Sequence, residues 1–161
     1  MAVKKPLVLG ANGKPQQIQS GDTINVPSAQ TNVVQAQNAE AGAIVIGAPV
    51  YMFAAGQVKK GQANAAGTAN LLGLVYDVSI SNGATGGIAT DGVLTATTTQ
   101  WDAVAGTTGG LTFGTTYFLD PTTSGKITST PPTTVGQLVV AIGVALSTTD
   151  LLIDIETEIL L

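Results

Sequence analysis

The apolar residues of this chain come in short runs, and turn-forming residues separate each run from the next. Twenty glycines and seven prolines are spread over 161 residues. A glycine inside a helix costs about 1 kcal/mol, whereas the abundant threonines and valines fit a pleated sheet. Runs at roughly 8–12-residue spacing with turn signals between them are typical of sandwiches and barrels. The pattern predicts an all-β fold, a small sandwich or a jelly-roll-like barrel.

Two local patterns depart from plain strand and loop. Residues 99–104 are compatible with a single helical turn, and Gly106 follows where a helix C-terminus favours glycine. The dipeptide Asp91-Gly92 lies between apolar residues and is typical of a β-hairpin turn. We therefore expect one short helix near residue 100 and a hairpin turn at Asp91 and Gly92.

The C-terminal run shows the plainest alternation in the chain. Over residues 151–159, Ile153 and Ile155 share one face of the predicted strand, and Asp154 and Glu156 lie on the other. We expect one face on the core and the other in water or against a cationic partner. Two carboxylates at this spacing also resemble a glycosidase pair, but neighbouring acids on one polar face favour solvation over catalysis.

Residues 1–30 are polar and rich in turn residues. Pro6, Pro15 and Pro27 divide them into extended pieces shorter than a helix. The β-type runs begin after this segment and continue to the end of the sequence. We expect an extended N-terminal arm over residues 1–30 and one β-sandwich or barrel domain over residues 31–161.

The chain contains no histidine, cysteine or arginine, and only 10% of its residues are charged. It therefore lacks an imidazole for acid–base catalysis near neutral pH, a thiolate nucleophile or metal ligand, and a guanidinium for phosphate. The net charge of −4 disfavours nucleic acid, and no run approaches the ~18 apolar residues that cross a bilayer. We expect no enzyme activity, no cofactor, no metal site, and neither nucleic acid nor a membrane as partner.

Charge is scarce and unevenly placed. The mean hydropathy of +0.35 is high for so few charges, which favours burial of outer faces in an oligomer or a larger assembly. Lys4, Lys5 and Lys14 lie near one end of the sequence, and residues 150–158 hold four carboxylates. Either both ends are solvated, or the basic arm contacts an acidic partner surface.

Several motifs resemble those of tailed-bacteriophage virion proteins. The segment from Leu7 to Ile24 resembles the opening L-x-L-x-x-x-G-x-x-Q-Q-L-Q-x-G-D-T-L of head-fibre, tail-fibre and decoration proteins. The rest resembles small phage β-modules of the capsid-cement and head-fibre kind. Those motifs are Gly47-Ala48-Pro49-Val50-Tyr51, Gly73-Leu74-Val75, Gly109-Gly110-Leu111-Thr112-x-Gly114-x-x-Tyr117-x-Leu119, Thr130-Pro131-Pro132-Thr133-Thr134-x-Gly136 and Val140-Ala141-Ile142-Gly143-x-Ala145-Leu146-Ser147-x-Thr149.

The resemblance implies a structural role and supplies no active-site residues. Such proteins are typically homotrimers on the outer surface of the virion, and their partner is the major capsid protein. The short length favours a capsid decoration (cement) protein, which stabilises the junctions between capsomers. The alternative is a head-fibre or tail-fibre module that binds a host receptor or glycan.

Two sets of residues are candidates for these contacts. We expect the arm to contact the capsid, although it could instead wrap a neighbouring protomer. Aromatic side chains could anchor the trimer interface or, in the alternative function, bind a glycan, although in small β-domains they more often belong to the core or to an interface. The arm candidates are Val3, Lys4, Lys5, Leu7 and Leu9, and the aromatic candidates are Tyr51, Trp101 and Tyr117.

Overall fold

The computed structural model describes residues 7–9, 15–17 and 31–161. Its fold is mostly β, with 43% strand and 9% helix, which confirms the all-β prediction. In this part of the chain the helices are α1 (Ala66–Ala69) and α2 (Thr98–Ala105). The strands are β1 (Leu7–Leu9), β2 (Pro15–Gln17), β3 (Asn32–Asn38), β4 (Ile44–Val45), β5 (Pro49–Ala54), β6 (Gln57–Lys60), β7 (Leu71–Val75), β8 (Ser79–Ile80), β9 (Thr85–Thr95), β10 (Thr116–Leu119), β11 (Ile127–Thr128), β12 (Leu138–Val139), β13 (Ala141–Ala145), β14 (Asp150–Ile153) and β15 (Ile159–Leu160).

Five strands pair in a closed circuit and form a small barrel. The first half of β9 pairs antiparallel with β3, and β3 runs parallel to β6. β6 then pairs with β5 and β5 with β7, both antiparallel. The circuit closes where β7 returns to β9, with Leu74 opposite Ala89 and Val75 opposite Ile88. Closure leaves these strands without the unpaired edges that favour aggregation.

The barrel interior is filled by small and branched apolar side chains. Among the described residues, Asn38 is the buried polar side chain. Both its amide nitrogen and its amide oxygen form hydrogen bonds. Its Nδ2 donates to the carbonyls of Gly42 and Ile80, and its Oδ1 accepts from the backbone N of Glu40. The buried apolar cluster here consists of Ala36, Ile44, Ala48, Val50, Val58, Val75, Ile80 and Ile88.

The second half of β9 leaves the barrel and becomes part of a second sheet. In that sheet β9 pairs with β14, β14 with β13, β13 with β10 and β10 with β11. Strands β13 and β14 are neighbours along the chain, with Ala145 opposite Leu151. The inner face of this sheet and α2 enclose the larger core, which includes Leu94, Trp101, Val104, Leu111, Tyr117, Leu119, Ile127, Ile142, Leu151 and Ile153.

The predicted helix is confirmed as α2, and local sequence explains both of its ends. The hydroxyl of Thr97 accepts from the backbone N of Gln100, and the Gln100 side chain accepts from the backbone N of Thr97. This reciprocal pair satisfies two otherwise free backbone donors. At the other end Gly106 has a φ of 65° and ends the helix in the left-handed region. None of the described helices is long and apolar enough to span a membrane.

The hairpin turn predicted at Asp91 and Gly92 is wrong. Both residues lie inside β9, where Asp91 pairs with Asn32 of β3 and Gly92 pairs with Ile153 of β14. Gly92 has a φ of 88°, and the β3–β9 register shifts next to this pair. Glycine tolerates a positive φ, which is why it is common in turns. At Gly92 the same property permits the bend at which β9 passes from the barrel to the second sheet.

The single strand predicted over residues 151–159 is also wrong in its second half. β14 ends at Ile153, although the backbone N of Asp154 still donates to Ile142 and that of Glu156 to Ala141. This irregular pairing ends the alternation after Ile155, and the chain resumes as β15 against β12. The predicted polar face is found for Asp154 and Glu156, which are both exposed.

Candidate interaction surface

Two of the three aromatic candidates are core residues, and their predicted role in surface contacts is wrong. Trp101 and Tyr117 are fully buried. The Trp101 Nε1 donates to the carbonyl of Thr149 at 2.8 Å, and the Tyr117 hydroxyl accepts from the backbone N of Thr112 at 3.0 Å. Because their polar atoms have partners inside the fold, these side chains are available neither to a sugar nor to another subunit.

Tyr51 belongs to a lysine–aromatic cluster, which we define as Tyr51, Phe53 and Lys59. Tyr51 is opposite Lys59 in the β5–β6 pair. The Lys59 ammonium lies 3.9 Å from the centre of the Phe53 ring, a distance typical of a cation–π contact. The Phe53 side chain is 51% exposed, so this cluster presents both an aromatic surface and a positive charge to the outside.

An acidic groove begins beside this cluster. Tyr51 is also opposite Leu71 in the β5–β7 pair, and Leu71 lines the groove. The groove has two parts that share Asn70, Leu71 and Glu158, and the larger part has a volume of about 490 Å³. Ligand-binding sites in proteins have volumes of ~300–1,000 Å³, and the volume of this groove lies within that range. The other lining residues are Met52, Ala66, Gly67, Ala69, Leu72, Ile155, Glu156 and Thr157.

Exposed apolar residues of β15 follow the groove lining in the chain. Ile159 and Leu160 directly follow Glu158 and are 62% and 69% exposed. Met52, another lining residue of the groove, is also exposed. Large exposed apolar side chains near a groove are typical of protein–protein contact sites.

A second apolar surface crosses the outer face of the second sheet. One residue from each of four neighbouring strands contributes to it: Thr116 is opposite Val144, Val144 is opposite Leu152, and Leu152 is opposite Val93. We call these four residues the outer row. Their neighbours Leu94, Leu151 and Ala145 face the core, so both faces of this sheet carry apolar side chains. An antiparallel sheet with one solvated face normally has polar residues there.

Thr31, the first described residue of the domain, lies at the end of the outer row. The Thr31 hydroxyl donates to the carbonyl of Val93 at 2.7 Å. Of the arm candidates, Leu7 and Leu9 lie in β1, which pairs with β2, whereas Val3, Lys4 and Lys5 lie outside the described residues. Whether these five residues contact a capsid stays a prediction.

Three carboxylates are held in local hydrogen-bond networks. Hydrogen bonds from the backbone N of Gly110, and also from Gly109 and Thr107, keep the pKa of Asp102 below its ordinary value despite some desolvation. The Asp102 oxygens lie 2.8 Å from Gly110 N and 3.0 Å from Gly109 N. This carboxylate therefore fastens the loop that follows α2.

The carboxylates of Asp120 and Asp150 also accept hydrogen bonds that hold turns in place. Burial raises the pKa of Asp120, but hydrogen bonds from Thr122 and Thr123 and the charge of Lys126 outweigh it and leave this pKa lowered. The pKa of Asp150 is lowered chiefly by the Ser147 hydroxyl and also by the hydroxyl of Thr95. Within residues 31–161 no group of three or more acidic side chains is placed to hold a metal ion.

We expect stability to fall in acid because of these three carboxylates. Their pKa values are lower in the folded chain than the ordinary value of 3.8, so the unfolded chain binds more protons. The stabilisation is fully present above pH ~4 and is lost as the pH falls through the folded-state values. Urea unfolding from about pH 7 to pH 2.5 measures it.

Two variants separate this effect from general acid denaturation. Asp150→Asn should lower the free energy of unfolding by about 1 kcal/mol at neutral pH and weaken its dependence on pH below 4. Asp154→Asn removes an exposed carboxylate and should behave like the wild type. Equal acid sensitivity of the wild type and Asp150→Asn would contradict the assignment.

Sequence reasoning missed Lys59, Leu71 and Glu158 as members of one surface. A signal was present in the sequence, because the run from Val50 to Phe53 is apolar on both faces of a strand. That pattern indicates a strand whose outer face is covered or contacts a partner. The pairing that places Leu71 and Lys59 on either side of Tyr51 depends on strand order, which the sequence does not specify. Neither a protein-family model nor a curated protein matches this chain.

Proposed function

We propose that this chain is a structural virion protein, a capsid decoration (cement) protein without enzyme activity. It binds the outer surface of a phage head as a homotrimer and stabilises the junctions between capsomers through contacts with the major capsid protein. In this proposal residues 1–30 form an extended arm, and residues 31–161 form a domain of sandwich or jelly-roll type. Several modest contacts from one trimer add up to an avidity of ~10²–10⁴ over a single contact.

The outer row is the observation that carries this proposal. It places three apolar side chains and Thr116 in a line across the outer face of an antiparallel sheet, and burial of that line against a partner would release water from it. The arm joins the domain at Thr31, beside Val93 of the row. Because the arm is joined to the domain at this end of the row, we infer that arm and row can act together as the face that contacts the capsid.

Electron microscopy of the phage particle tests the proposal directly. We expect trimeric densities on the outer surface of the head, at positions where capsomers meet. Purified protein added to particles that lack it should restore these densities. A head without them, or a monomeric protein that does not bind particles, would refute the proposal.

A substitution in the outer row should weaken capsid binding without unfolding the protein. Leu152→Glu places a charge in the middle of the row, and Leu152 is already exposed, so the fold can tolerate it. We expect about a tenfold or larger loss of affinity in co-sedimentation with particles, because a buried unpaired charge is strongly unfavourable. Val78→Glu, at an exposed position outside the row, is the matched control and should bind normally.

Deletion of residues 1–15 tests the role proposed for Val3, Lys4, Lys5, Leu7 and Leu9. An extended segment can add to the edge of a partner sheet through its backbone, so its loss should greatly reduce decoration of particles while the trimer persists. A truncated trimer that decorates as well as the full chain would assign capsid contact to the domain alone. A truncated protein that becomes monomeric would place the arm on a neighbouring protomer instead.

The alternative, a fibre module that binds a glycan, is favoured by one observation. Tyr51 and the exposed ring of Phe53 are both in the cluster on the outside of the barrel. Trp101→Ala cannot test this function because Trp101 is a core residue. A glycan array with the wild type, Tyr51→Ala and Phe53→Ala is the appropriate experiment. Specific sugar binding that either substitution abolishes would favour the alternative over decoration.

A further inference from the structure

The lysine–aromatic cluster and the acidic groove are two neighbouring surfaces of opposite charge. The cluster contributes the ammonium of Lys59, and the groove contributes the carboxylates of Glu156 and Glu158. The other cations of the described domain are engaged differently. The Lys126 ammonium donates to the carbonyl of Ala103, and the side-chain stem of Lys60 lies against Gly125. Lys59 is thus the lysine whose charge is directed to an exposed aromatic surface.

The charges determine which surfaces of two copies can meet. Cluster against cluster would bring two Lys59 side chains together, and groove against groove would bring four carboxylates together. Only the contact of a cluster with the groove of another copy pairs opposite charges and also covers Phe53, Ile159 and Leu160. Such a contact joins two different surfaces. It can close as a pair, in which the cluster of each copy meets the groove of the other, or as a head-to-tail ring.

The positions of the two surfaces favour a small closed ring. Tyr51 of the cluster and Leu71 of the groove are directly opposite each other in the β5–β7 pair. Each copy would therefore contact its two neighbours through adjacent parts of one side of the barrel. Two contacts on one side of a subunit are compatible with a small closed assembly, and the homotrimer of the proposed function sets the number of copies at three.

We propose that the cluster of one protomer docks in the acidic groove of the next, head to tail, and that three copies close the ring. This inference rests on the homotrimer of the proposed function and specifies its contacts. The Phe53 ring enters the apolar part of the groove near Leu71. Lys59 of one copy then pairs with Glu158 of its neighbour.

Charge reversal in three variants tests the pairing. Lys59→Glu and Glu158→Lys should each raise the dissociation constant of the trimer by about tenfold or more, because each brings like charges together. The double variant Lys59→Glu/Glu158→Lys restores opposite charges and should return to within about threefold of the wild type. Sedimentation velocity over a concentration series measures all three. Asp154→Lys makes the same charge change outside the groove lining and should leave the trimer unchanged.

Disulfide trapping tests the geometry in a second way. Because the chain has no cysteine, Lys59→Cys and Glu158→Cys can be purified as separate proteins and mixed under oxidising conditions. A disulfide between the two variants can form only between chains, and we expect a doubled mass on a non-reducing gel for the mixture but not for either variant alone. The control is Lys59→Cys mixed with Asp91→Cys, whose cysteine lies on the distant bend of β9. We expect this mixture to show only the mass of a single chain.

The outcomes separate this inference from the proposed function. A wild-type trimer with unaffected charge variants and no specific disulfide overturns the docking and leaves the homotrimer in place. A trimer that obeys the charge pattern but never binds phage particles supports the docking and overturns the decoration function. A wild-type protein that remains monomeric at every concentration overturns the docking and the homotrimer together.

Discussion

Replacement of Trp101 by alanine should lower the free energy of unfolding by about 3–5 kcal/mol. The indole is fully buried in the larger core, and its Nε1 bonds to the carbonyl of Thr149 in the turn between β13 and β14. Its ring also contacts Gly47, where a β-carbon would come within 2.7 Å of it. The substitution therefore leaves a cavity at the junction of α2, the second sheet and the barrel, and frees a buried carbonyl.

Such a loss is a large part of the ~5–15 kcal/mol that stabilises a typical domain. Urea unfolding at one fixed protein concentration, followed by far-ultraviolet circular dichroism, measures it without the signal of the single tryptophan. Phe113→Ala removes an aromatic ring that is 77% exposed and should cost less than about 1 kcal/mol. Similar midpoints for the two variants would contradict the placement of Trp101 in the core.

Substitution of Gly73 by alanine should open the barrel at its closure. Gly73 lies in the middle of β7, and an added β-carbon would overlap the carbonyl oxygen of Ala89 in β9. That atom belongs to the backbone of the strand that completes the circuit, so no side-chain rotation relieves the overlap. We expect a loss of about 3 kcal/mol or more, at or above the upper end of the range for overpacking.

Gly67→Ala is the matched control for this prediction. Gly67 lies in α1, and an added β-carbon there would have no neighbour within 4 Å. Alanine in a helix is favoured over glycine by about 0.5–1 kcal/mol, so this variant should be as stable as the wild type or slightly more stable. Faster amide hydrogen exchange in β7 and β9 of Gly73→Ala would locate the damage. Unchanged exchange in both strands would show that the barrel closes in another way.

The sequence predicts those parts of the fold that depend on neighbours in the chain. The helix before Gly106 and the polar face of Asp154 and Glu156 follow from local preferences, and the structure contains both. The hairpin predicted at Asp91-Gly92 is wrong because glycine serves several backbone roles. A glycine in a sequence indicates that the backbone needs conformational freedom or space at that position. A turn, a bend within a strand and a close approach of two strands all have this requirement. The strand pairing that decides among them is set by contacts far apart in the sequence.

The same limit applies to the surface. Tyr51 was identified as a candidate because it is aromatic, and Trp101 and Tyr117 for the same reason, yet only Tyr51 reaches the outside. Composition cannot distinguish a buried ring from an exposed one when both lie in short β-type runs. The position of Lys59 over Phe53 depends on the register of the β5–β6 pair, which becomes visible only when the strands are placed.

β9 belongs to both sheets, and this sharing has a consequence for how the domain comes apart. The barrel and the second sheet each use half of one continuous strand, so neither can melt without removing ladder hydrogen bonds from the other. Heating should therefore produce a single calorimetric transition for residues 31–161 in which the calorimetric and van't Hoff enthalpies agree. Pulling on one sheet would likewise load the other directly along that backbone.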